Sequence, residues 1–107
     1  MFITHQFYDN DISGANSYVT VYKTLQQAKN EMYDTIYPSL AHCEKETMEK
    51  FVKLLKEAIS EDSVIEETVD NFTIAFTSTQ YEIRDNYDKD RYFFCILDTD
   101  KEDYSQF

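Results

Sequence analysis

Apolar and polar positions follow a period of two near both ends of this chain and a helical period in the middle. Phe2 to Tyr8 is rich in aromatic and β-branched residues and reads as a strand. Asp9 to Asn16 has the composition of a turn. In Tyr18 to Tyr22, Val19 and Val21 point one way and Tyr18, Thr20 and Tyr22 the other, as in a second strand closing a hairpin. Thr24 then offers an N-cap with Gln27 three residues on, a capping box. Leu25, Ala28, Met32 and Ile36 follow at helical spacing, and Pro38 is expected to end or kink that helix near Ile36. From Lys45 to Ser60, Met48, Phe51, Val52, Leu55, Ala58 and Ile59 form one apolar stripe, with Glu46/Lys50 and Glu49/Lys53 beside it as i, i+4 pairs.

The period then returns to two. Val64 to Val69 is a weak strand. Phe72, Ile74 and Phe76 alternate with Thr73, Ala75 and Thr77, and Tyr81 and Ile83 alternate with Glu82 and Arg84. Tyr92 to Leu97 is apolar on both faces, the pattern of a central strand covered on both sides or covered on one by a partner. The order β-β-α-α-(β)-β-β-β predicts an α+β domain: an antiparallel sheet of about five strands packed against two helices, in one domain over residues 1–107 with an acidic tail from about residue 99.

Composition changes this picture mainly through charge. The net charge is −11, and it is uneven: residues 1–59 hold 8 acids against 6 lysines, whereas residues 60–107 hold 13 acids against 4 bases. That excess disfavours direct contact with nucleic acid or an anionic membrane and favours a basic protein surface. Phe and Tyr make up 17 of the 107 residues, too aromatic a load for a disordered chain. Gly14 and Pro38 are the only Gly and Pro, so there is no glycine-rich phosphate loop and no linker. No apolar run is long enough to span a bilayer, and Met1-Phe-Ile-Thr-His-Gln has no basic n-region, which predicts a cytoplasmic protein with free thiols at Cys43 and Cys95.

Catalytic chemistry is not visible. Asp9-x-Asp11-x-Ser13-Gly14 matches the first half of a Ca2+ loop, but Thr20 stands where the bidentate Glu belongs and the flanks read as strands. Asp9, Asp11 and Ser13 thus remain a weak candidate, and the expectation is no metal and no cofactor. His42-Cys43, His5 and Cys95 lack zinc-site spacing. What remains is the acidic, tyrosine-bearing surface of the last strands. Tyr81, Glu82, Asp85, Tyr87, Asp88, Asp90, Tyr92, Asp98 and Asp100 are the candidate partner-binding residues, because tyrosine supplies stiff amphipathic contact area and carboxylates suit a basic groove.

The strand, acidic loop, strand and Thr24-Leu-Gln-Gln-Ala-Lys29 helix start of residues 1–36 resemble small uncharacterised acidic proteins of phages and bacterial mobile elements. Some of these inhibit host defence systems, and some imitate nucleic acid. The resemblance carries no functional residue across; it is the acid excess of residues 60–107, together with the aromatic content, that points to a non-enzymatic, protein-binding accessory protein occupying a basic, nucleic-acid-binding surface. Two alternatives stand beside it: a self-associating module, in which a homodimer covers the second face of Tyr92–Leu97, and a small-ligand or Ca2+ binder at Asp9–Gly14.

Overall fold

The computed structural model describes residues 1–10, 14–39 and 43–100. Its elements run β1 (Phe2–Asn10), β2 (Gly14–Tyr22), α1 (Leu25–Ser39), α2 (Lys45–Glu61), β3 (Ile65–Val69), β4 (Phe72–Thr77), β5 (Gln80–Asp85) and β6 (Arg91–Asp98). The strands form one six-stranded sheet in the order β2-β1-β6-β5-β4-β3, each neighbouring pair antiparallel. The α+β architecture is as expected, with six strands rather than about five. The sixth is β3, whose Glu66 and Glu67 weaken its apolar pattern but whose position at an edge tolerates them.

Both helices lie on one face of the sheet, where α1 packs against β6, β1 and β2, and α2 against β4 and β3. The buried stripe of α1 is Ala28, Met32 and Ile36, four residues apart. That of α2 is Phe51, Val52, Leu55 and Ala58. Beneath them lie Phe72, Ile74 and Phe76 of β4, Tyr81 and Ile83 of β5, and Tyr92, Phe94 and Ile96 of β6. Phe51 meets Phe72 and Phe76 edge to face, with centroids 5.4 and 6.5 Å away, a favoured aromatic geometry. Tyr81 stacks on Phe94 at 5.6 Å, and its hydroxyl lies 3.0 Å from that of Thr35 on α1.

The helix ends follow local chemistry. The Gln27 N–H donates to Thr24 Oγ1 at 3.2 Å and the Thr24 N–H to Gln27 Oε1 at 3.3 Å, which is the reciprocal capping box. Helix α1 continues to Ser39, three residues past its expected end, so Pro38 falls in the last turn, where its missing N–H interrupts the ladder only at its final residues. Helix α2 ends on Asp62 in the left-handed conformation (φ 49°), with the Ser63 N–H returning to the Ala58 carbonyl at 3.2 Å.

The first hairpin is longer than its composition suggests. Paired residues run from Phe2↔Tyr22 to Asn10↔Gly14 without a bulge, so Asp9, Asn10, Gly14, Ala15 and Asn16 belong to strands rather than to a loop. Gly14 takes φ +71°, a conformation that favours glycine. Strand β1 then pairs along its other side with β6, from Phe2↔Asp98 to Asp9↔Arg91, and the Thr99 N–H donates to the Met1 carbonyl at 3.0 Å. Among the described residues no helix is long and apolar enough to cross a membrane.

Among the described residues the second sheet face carries no helix. It presents Val19 and Val21 of β2, Ile3, His5 and Phe7 of β1, and Phe93, Cys95 and Leu97 of β6, as the pairings Val21↔Ile3↔Leu97 and Phe7↔Phe93 require. Strand β6 is therefore central, as expected, but only one of its apolar faces is covered. Towards β3 this face becomes polar. Arg84 and Arg91, the only two arginines of the chain, are cross-strand neighbours there and share the Glu82 carboxylate at 2.8 and 3.5 Å.

Candidate functional site

In an up-and-down meander, successive turns alternate between the two ends of the sheet. The β3–β4 turn and the β5–β6 loop therefore share one end, and the first turn of α2 projects over it. This brings together acids from separate stretches. Glu44, Asp70, Asp85 and Asp88 line a cleft of about 360 Å3 with Cys43, Thr47, Asn71 and Phe72, and no base lies among those lining residues. Thr47 fixes one wall by donating to Asp70 Oδ2 at 3.0 Å. Asp70 takes φ 53° at the two-residue turn between Val69 and Phe72, a left-handed conformation that aspartate tolerates better than most residues.

The other wall is the β5–β6 loop, which is organised by Asp85. Its Oδ1 accepts from Asn71 Nδ2 at 2.7 Å, the Tyr87 N–H at 3.0 Å and the Asp88 N–H at 3.1 Å, and the residue is only 3% exposed. A buried carboxylate is stable in such a place because loop amides replace its lost water. The backbone closes around it through Asp85 N–H to Asp90 O and Lys89 N–H to Asp85 O, both 2.8 Å, with Lys89 at φ 64°. Tyr87 is thrust outward and is 82% exposed.

The candidate residues read from the sequence are thus divided. Tyr87 and Asp88 are exposed at this end, and Asp90 is half-buried beside them. Asp98 and Asp100 lie at the opposite end of β6, about 23 Å away at ~3.3 Å per strand residue. Glu82 sits on the uncovered face, paired with both arginines. Tyr81 and Tyr92 are at 0% and 7% exposure under the helices, and Asp85 is a loop brace, so these three offer no contact surface. Their polar tips do not bring them to the surface, because each tip is accommodated inside the fold. The Tyr81 hydroxyl is satisfied internally by Thr35, and burial, with Asp90 adding to it, pushes the Tyr92 phenol up to about 12. Glu44 and Asp70, which are not among the candidates read from the sequence, join this end. The alternation of turns in the meander was the signal that would have found Asp70, and it would also have separated Asp98 from Asp90.

Carboxylate oxygens of Asp85, Asp88 and Asp90 come within 4.8 Å of one another, close enough to offer one oxygen each to a hard cation. The Asp85 oxygen that braces the loop is already engaged three times, which explains the arrangement without an ion. Of the weak Ca2+ candidate, Asp9 is an exposed residue within the β1–β2 ladder, while Asp11 and Ser13 lie outside the described residues. Cys43 borders the cleft, but burial, reinforced by the Asp85 charge, pushes its thiol up to about 11. It is therefore overwhelmingly protonated at neutral pH and a weak nucleophile.

Comparisons with protein families, with curated proteins and with solved structures find no match for this chain.

Proposed function

We propose that this chain is a non-enzymatic protein-binding module that takes a basic segment of a partner at the acidic end of its sheet. The carrying observation is the cleft whose exposed acids are Glu44, Asp70 and Asp88, with Tyr87 standing exposed beside Asp88 and Asp85 bracing the loop beneath them. A lysine or arginine side chain entering the cleft meets carboxylates on both walls, and its aliphatic stem can lie against the Tyr87 ring. An inhibitor of the kind that the resemblance of residues 1–36 implies would act by this occupancy, shielding a basic groove from its nucleic acid.

Titration of an arginine-rich peptide against the protein, followed by calorimetry at low and at moderate salt, tests this reading. Binding is expected to weaken as salt rises, since exposed charges are screened over about 10 Å at 0.1 M. The double substitution Asp70→Lys and Asp88→Lys is expected to weaken it by about tenfold or more, chiefly by slowing association. Unchanged affinity in that variant would remove this end as the site.

The second reading is self-association, and the observation that favours it is the uncovered apolar face of β2, β1 and β6.

A further inference from the structure

The two edges of the sheet differ in every property that governs strand pairing. Strand β3 is five residues long and carries adjacent glutamates, Glu66 and Glu67. Strand β2 is nine residues long, Gly14-Ala-Asn-Ser-Tyr-Val-Thr-Val-Tyr22, with no charged residue, no proline and no bulge against β1. It is also exposed on both of its faces: Tyr18, Val19 and Val21 are 53%, 65% and 56% exposed. Exposed edges normally carry a charge, a proline or a bulge that prevents a further strand from adding, and β2 carries none of them.

We propose that β2 is a strand-addition site whose occupant is β2 of a second copy of this chain, paired antiparallel about a two-fold axis perpendicular to the sheet. Charge selects this occupant. Two molecules of net charge −11 repel wherever their acidic surfaces meet, and β2 is a nine-residue stretch that brings no charge to the contact. A strand of β-branched and aromatic residues is also self-complementary under a two-fold, where residue i of one copy meets j of the other and j meets i. The geometry closes, because the remaining edge of each copy is β3, which its glutamates guard. The product is a twelve-stranded dimer and not a fibre. Nine residues span about 30 Å, and a single edge strand is a smaller contact than the ~800 Å2 per partner typical of a stable complex. The dimer is accordingly transient and concentration-dependent. This site is separate from the acidic end, so either reading can fail without the other.

Sedimentation velocity of the full chain from about 1 to several hundred µM tests the proposal, with the mass read against 12.7 kDa for one copy. The expected result is a rise towards twice that mass, with amide exchange in β2 slowing as concentration increases. The variant Tyr18→Lys with Thr20→Lys changes two exposed residues on the opposite face of β2 from Val19 and Val21. It should remain monomeric at least tenfold beyond the wild-type midpoint, although it lowers the net repulsion between copies. Lysine is used for that reason, and a thermal melt confirms that the variant is folded. The variant Phe93→Lys, in the middle of the uncovered face, should dimerise like the wild type. Two outcomes overturn the proposal: a wild-type chain that stays monomeric throughout, or a dimer lost in Phe93→Lys but kept in the β2 variant, which would mean that copies pack face to face.

Discussion

The half of the molecule under α2 and the half that ends in β2 solve the same problem differently. Under α2, every inward position of β4 is buried, Phe51 wedges between Phe72 and Phe76, and the edge beyond is short and acidic. At the other side, α1 packs on β6, β1 and part of β2, but most of β2 is exposed. The inward-facing Tyr18 stacks on Tyr8, with rings 6.0 Å apart and hydroxyls at 3.4 Å, and remains 53% exposed. One half has its stability built into the monomer, while the other keeps apolar surface in reserve.

The largest expected effect separates the halves directly. Phe51→Ala removes a ring at 0% exposure and should cost about 3–5 kcal/mol in denaturant unfolding, whereas Val19→Ala in β2 should stay within about 0.5 kcal/mol in dilute monomer. Equal losses would erase the contrast. Next is Asp85→Ala, which strands Asn71 Nδ2 and two loop amides and is expected to cost about 1–3 kcal/mol. Its amide-exchange signature should be confined to the β3–β4 turn and the β5–β6 loop, leaving β2 unchanged. Thr24→Ala opens the capping box at the start of α1 and should cost about 1 kcal/mol.

The smallest effect is a pH dependence within α1. Burial, with Asp34 adding to it, raises the Glu31 carboxyl above its ordinary value, and its Oε2 has no hydrogen-bond partner among the described residues. A carboxyl raised in the folded state favours folding when protonated. Its contribution is fully present below the unfolded pKa and is lost as pH rises through the raised folded value. Glu31→Gln should therefore raise the melting temperature at pH 7 and change it little near pH 4. A larger gain at pH 4 than at pH 7 would reverse the assignment.

Local periodicity made much of this fold legible. The stripe of α2 and the strands β4, β5 and β6 lie where alternation and helical spacing place them, because each pattern is complete within one element. The hairpin partner of β1 is legible, but its second neighbour, β6, is not, since Phe2↔Asp98 and Asp9↔Arg91 join distant stretches of the sequence and leave no local trace. The hairpin strands reach into Asp9–Asn16 because polar residues cost little in a ribbon with little covering it. At the candidate site, acidity was readable in the composition. Its division between two ends of the sheet is a matter of strand direction. The burial of Tyr81 and Asp85 depends on partners contributed by Thr35 and Asn71, distant in sequence.

The position of β1 beside β6 also governs how the chain acquires its shape. The β1–β2 hairpin pairs locally and can form within microseconds, but the centre of the sheet closes only when β6 reaches β1 across almost the whole sequence. Until then Ile3 and Phe7 have no neighbour on that side and β1 is itself an open edge. Non-local closure of this kind makes the late step slow compared with the collapse of α2 onto β4. Destabilising β1–β6 contacts should lengthen the refolding half-time, while changes confined to β2 leave it unaltered. On a ribosome, β1 would wait until β6 had emerged before the sheet could be completed.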